Sequence, residues 1–107
     1  MDDKMNVVTR CLEMFEKELF TGSFSESNVR KDLQHRKAMD MYSTMGSSGR
    51  QTNELSQKKR VYIDNFTEDI QVIKAAQSHL VPSHPYYSRL ERCKKQAEKL
   101  IDIVSNF

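Results

Sequence analysis

From Tyr86 to the end of the chain, apolar residues recur at Tyr86, Leu90, Cys93, Ala97, Leu100, Val104 and Phe107. The steps alternate between four and three residues. That spacing is the stripe of one helix face, and three heptads of it are the lower bound for a coiled-coil seam or the ordinary signature of a bundle helix. A chain carrying this stripe needs other helices to cover it. The rest of the sequence supplies them and offers no sustained period-two alternation that would build a sheet.

A first helix is expected from about Asp3 to Phe20, with Met5, Val8, Leu12, Phe15 and Leu19 as its stripe and Thr21-Gly22 as its stop. Ser23 and Glu26 have capping-box spacing, so a second helix is expected from about Phe24 to Met45. Its stripe (Val29, Leu33, Ala38, Met41, Tyr42, Met45) is uneven and broken by charge. The sequence therefore makes this the most exposed of the helices. Gly46-Ser47-Ser48-Gly49 reads as a short helix connection, with Ser48 or Thr52 as the next cap. A third and longest helix is expected over Arg50–Leu80, with Leu55, Tyr62, Phe66, Ile70, Ile73, Ala76 and Leu80 inward and a polar first third. Val81-Pro82-Ser83-His84-Pro85 breaks the chain, and Pro85 suits the first turn of the fourth helix with Ser83 or His84 as its cap.

The expected fold is therefore all-α, a small four-helix bundle with a long third helix and a heptad-patterned fourth, in one domain over residues 1–107. In length and class it resembles the four-helix bacterial immunity proteins, with no shared motif. The alternative use of the fourth stripe is self-association, a homodimer through helix four.

Charge sharpens the functional reading. The formal net charge is only +2, but it is unevenly spread. Residues 1–29 hold three basic and six acidic groups, residues 30–60 eight and three, and residues 61–107 six of each. The basic excess is carried by Arg30, Lys31, Arg36, Lys37, Arg50, Lys58, Lys59 and Arg60. If the Gly/Ser turn folds helices two and three together, these groups share one end or face, which would attract an acidic protein surface or phosphates. Tyr42 and Tyr62 alone do not make the interleaved aromatic set of single-strand binders, and two long helices do not match a helix-turn-helix. An acidic-surfaced protein is the expected partner, with nucleic acid on the same patch as the alternative.

The sequence carries no motif for chemistry. Cys11 and Cys93 lie far apart without a CxxC, and they fall on apolar stripes, so reduced thiols are expected. His35, His79 and His84 lack the convergent ligands a metal needs. Neighbouring carboxylates such as Glu68 and Asp69 face different sides of a helix and suggest no acid/base pair. Glu13 with Lys17 and Glu91 with Lys95 have favourable i,i+4 spacing. No cofactor, metal or catalytic residue is expected. No apolar run is long enough to span a bilayer, and Met-Asp-Asp-Lys does not open a signal peptide, which makes a cytoplasmic, non-enzymatic binding protein the expectation.

Overall fold

The structure is a computed structural model that describes residues 3–45 and 54–107, with side chains from 5–42 and 54–107. Four helices account for nearly all of it: α1 (Asp3–Phe20), α2 (Glu26–Met45), α3 (Glu54–Gln77) and α4 (Pro85–Ser105). No strand occurs among the described residues. The α3/α4 hairpin forms the largest interface, and α1 and α2 both pack on it.

The expected all-α bundle of four helices is present, with α3 the longest, but the four do not lie side by side. The molecule measures 62 × 19 × 18 Å. Forty-three residues from Asp3 to Met45 would span ~64 Å at 1.5 Å per residue, close to that long axis. α1 and α2 lie in tandem along the hairpin, so most cross-sections contain three helices. The order of contacts agrees. Glu16 meets Arg89, Leu19 meets Gln96 and Glu26 meets Lys99, so the tandem runs parallel to α4. Phe24 meets Phe66, Asp32 meets Tyr62 and Asp40 meets Glu54, so it runs antiparallel to α3. Asp40 lies beside the start of α3, past the Lys59–Ser105 contact that marks the end of α4, so of the described helices α3 alone lies beside the last turns of α2.

The core follows the stripes. On α4, Leu90, Cys93, Ala97, Leu100 and Val104 are each 0% exposed. The heptad row is thus covered inside one chain, and a dimer built on these residues would have to open the bundle. On α1, Val8, Leu12, Phe15 and Leu19 are buried, and on α3 Tyr62, Phe66, Ile73 and Ala76. Among the described side chains of α2 only Val29 and Leu33 are buried hydrophobics; Met41 and Tyr42, expected inward, are exposed, and the Met45 side chain, also expected inward, lies outside the described residues. The physical reason is the tandem arrangement, which leaves the far turns of α2 without a second wall.

The joints have specific chemistry. Between α1 and α2, Gly22 sits so close to the end of α1 that a Cβ would lie 3.0 Å from the Glu18 Cα and 3.2 Å from the Lys17 carbonyl. Phe24 then folds its ring edge-on to Phe66 and Tyr62, at 5.8 and 6.2 Å. α2 begins two residues later than its capping-box spacing suggested. Ser25 occupies the N-cap position, since its carbonyl takes the first helical N–H, from Val29 at 2.9 Å.

The start of α3 is capped from across the bundle. Asp40 accepts the amides of Glu54 and Leu55 at 3.1 and 3.0 Å, satisfying two orphan donors and placing negative charge at a helix N-terminus. The Gly46–Gly49 turn and the local caps expected at Ser48 or Thr52 fall outside the described residues. α3 ends at Gln77, three residues short of expectation, because His79 and Leu80 turn to i→i−3 hydrogen bonds. α4 opens as its sequence suggests. His84 is the N-cap, its Nδ1 accepting the Tyr86 amide at 3.0 Å, and Pro85 follows in the first turn.

Candidate binding surface on the second and third helices

Of the eight basic candidates, Arg50 lies outside the described residues. The other seven divide into committed and uncommitted groups. Arg30 pairs with Glu26 at 3.1 Å, and Glu26 also takes Lys99 of α4 at 3.0 Å. Lys99 first and Arg30 second hold the Glu26 carboxyl below its ordinary range. Arg36 pairs with Asp32 at 3.1 Å.

Asp32 is the centre of a small network between α2 and α3. Tyr62, buried on α3, donates its hydroxyl to Asp32 at 2.6 Å, and Lys58 lies over the Tyr62 ring at 5.1 Å. Burial works against the Asp32 charge, but Tyr62, Arg36 and Lys58 outweigh it and lower its pKa. Burial, then the Asp32 bond, raise the Tyr62 hydroxyl well above its ordinary value. Arg36 and Lys58 are therefore brought together as expected, but onto an internal carboxylate. Lys59 reaches the Ser105 carbonyl at 3.5 Å, at the end of α4.

Lys31, Lys37 and Arg60 are exposed and have no ion-pair or hydrogen-bond partner among the described residues. They do not form one cluster. Lys31 and Lys37 lie on the outside of α2. Arg60 sits beside Lys59, Ser56 and Ile63 around a shallow depression on α3, at the end of the molecule where Lys59 meets α4. The single basic face expected from charge counting is split by the ion pairs of Arg30 and Arg36.

Further along α2 than Lys31 and Lys37, Met39, Met41 and Tyr42 are exposed, the last two 60% and 72% accessible. The sequence placed Met41 and Tyr42 in a core stripe. The signal that could have revealed them is the failure of that stripe to keep its register past Leu33. Exposed Tyr and Met with unpaired basic groups on one helix have the composition of a protein interface more than of a solvated face.

Elsewhere the sequence reading needs small changes. Glu91 pairs with Lys94 at 3.1 Å and receives Gln77 at 3.1 Å, not Lys95. Those two contacts lower the Glu91 pKa. Glu13 and Lys17 form no ion pair. α1 is fastened to α4 instead by Glu16, which accepts Arg89 Nε at 3.0 Å, and by the Arg92 guanidinium 4.3 Å above the Phe20 ring.

Both cysteines are free thiols, and burial pushes the Cys93 thiol up to about 11, which keeps it protonated and unreactive at neutral pH. No group of three His, Cys, Asp or Glu that could hold a metal occurs among the described residues, and no described helix is long and apolar enough to cross a membrane.

A second surface feature lies on the other half of the molecule. A groove of about 330 Å³ runs between α1 and α3, lined by Val7, Cys11, Val72, Ala75 and His79 among others, and its walls are almost wholly apolar. It exists because α1 is seated mainly on α4, while α3 offers the short side chains of Val72, Ala75 and Ala76 on this side.

Compared with protein-family models, with curated proteins and with solved structures, the chain gives no significant match.

Proposed function

We propose that this chain is a non-enzymatic helical binding protein, an adaptor or inhibitor, that engages an acidic-surfaced protein partner through the outside of α2 and the neighbouring start of α3. The observation that carries the reading is that α2, anchored on one side by Val29 and Leu33, exposes unpaired Lys31 and Tyr42 in one row on the opposite side, with Lys37, Met39 and Met41 also exposed around the helix. The rigid side fixes the geometry, and the mixed apolar and cationic side offers anchors with a charged rim.

Nucleic acid is the less favoured partner for the same surface. Arg30 and Arg36 already hold carboxylates, and Glu26 and Asp32 on the same helix weaken its field toward phosphates.

The test is affinity capture from the native host, with and without nuclease, using the wild type and a Lys31→Glu/Lys37→Glu/Tyr42→Ala variant. The expected result is a discrete protein partner retained after nuclease and lost with the variant. Equal capture by both proteins would refute the assignment, and capture that vanishes with nuclease would move it to nucleic acid.

A further inference from the structure

Three helical rows in this molecule have the same register. On α1, Val7, Cys11, Met14 and Glu18 follow one another at steps of four, three and four. On α3, Glu68, Val72 and Ala75 do the same, with His79 next in step in the turn that follows the helix. On α2, so do Lys31, His35, Ala38 and Tyr42, and this row lies opposite the buried Val29 and Leu33. Eleven residues of helix cover about 16 Å, so the three rows have equal length.

Val7 and Cys11 of the first row and Val72, Ala75 and His79 of the second line the apolar groove, and the rows run antiparallel, with Glu18 and Glu68 continuing them past one end of it. The other end is walled by Val7 and His79, with Cys11, Ala75 and Val72 between. The first end is acidic, because Glu18 lies close enough to Asp69 and Glu68 for their charges to repel. None of these three carboxylates has an ion-pair partner among the described residues. The groove is thus an unfilled helix position with a negative end. The α2 row is its complement, cationic at Lys31 and apolar at Ala38 and Tyr42, with Met41 beside it.

We propose that the outer face of α2 in one copy docks into the α1/α3 groove of a second copy, antiparallel to its α1. This deepens the functional reading above and rests on it, since it names a partner for the same surface. Lys31 meets the acidic end, and Tyr42 reaches the end walled by Val7 and His79. Intramolecular docking is barred, because α2 is already fixed by its inner side on α3 of its own chain. The contact is head-to-tail, with one groove and one free helix face per chain, so successive copies add into a ring or an open chain and not a two-fold dimer. Attraction between exposed charges makes it weaken with salt.

The experiment is sedimentation equilibrium on the full chain, from about 10 to about 300 µM at ~50 mM and ~500 mM salt. Two variants accompany it. Val72→Glu blocks the groove, and Lys31→Glu/Tyr42→Ala disables the helix face; all three positions are exposed, and circular dichroism checks that both variants fold. The expected result is a wild-type average mass that rises with concentration past that of a dimer at low salt and falls back at high salt. Each variant alone stays monomeric. Their equimolar mixture recovers a dimer, because one supplies an intact helix face and the other an intact groove. A monomeric wild type at the highest concentration, association of Val72→Glu like the wild type, or a mixture that stays monomeric would each overturn the proposal. A monomeric wild type that still captures its host partner through Lys31 and Tyr42 would leave the functional reading standing and remove only self-docking.

Discussion

Asp69→Asn tests the electrostatics of the α1/α3 boundary. Asp69 is half-buried on α3, and burial first, then the charges of Glu18 and Glu68, raise its pKa from 3.8 to about 6. At 1.36 kcal/mol per pH unit the difference amounts to ~3 kcal/mol; partial exposure screens it to about 1–2 kcal/mol. The sign follows from proton counting. Between about pH 4 and pH 6 the folded state holds this proton and the unfolded state releases it, so folding stability falls as pH rises through that window. Asparagine has nothing to ionise. Relative to wild type, Asp69→Asn is therefore neutral near pH 4 and more stable by about 1–2 kcal/mol at pH 7.5, which for a domain of this size is on the order of 5–10 °C in Tm. Glu26, Asp32 and Glu91 have lowered pKa values and destabilise the fold in acid, but they do so equally in both proteins and cancel in the difference. The assay is a pair of thermal melts by circular dichroism at pH 4 and pH 7.5, at a few micromolar. An equal difference in Tm at both pH values, or a variant less stable at pH 7.5, would refute the reasoning.

Three further substitutions probe the joints of the bundle. Tyr62→Phe removes the donor to Asp32 and is expected to cost about 1–3 kcal/mol in chemical denaturation, because the acceptor is charged; it also raises the Asp32 pKa, which a carboxyl NMR titration reads directly. Asp40→Ala uncaps α3 and is expected to lower stability by ~1 kcal/mol, with faster amide exchange at Glu54 and Leu55; unchanged exchange there would mean that the cap is not formed in solution. Leu100→Ala, at the fully buried centre of the α4 row, is expected to cost about 2–5 kcal/mol in urea unfolding, and a loss under ~1 kcal/mol would place that row outside the core.

What was legible in the sequence was local. The α1 stripe, the α4 heptads, the proline break with His84 at its cap, and the all-helical class each depend on residues within a few turns of one another. Helical periodicity is a property of one segment, and a single segment reveals it. The C-terminal limit of α3 and the cap of α2 differ from expectation by two or three residues, because several serines and a polar run compete for those ends and packing chooses among them.

The candidate surface was only half legible. Lys31 and Lys37 are where charge counting looked, yet Arg30, Arg36 and Lys58 of the same run are turned to Glu26, Asp32 and Tyr62. Charge counting weighs every cation alike, whereas ion pairing depends on which carboxylate lies one helical turn away or across an interface. Met41 and Tyr42 were assigned inward because a stripe implies a neighbour, and the sequence does not say how far along the helix that neighbour extends.

By itself, the sequence determined that this chain makes amphipathic helices, where they break, and that the middle of the chain is basic, since these follow from side-chain period, proline and charge. Only the tertiary structure decided that α1 and α2 lie end to end on the α3/α4 hairpin. From that came a long three-helix body, an α2 whose last turns have one wall, a groove where a fourth helix would otherwise sit, and an α3 capped by Asp40 from fourteen residues away. The reason is that apolar burial is non-directional. It requires that each stripe be covered but leaves which helix covers it, and over what length, to the packing of the whole.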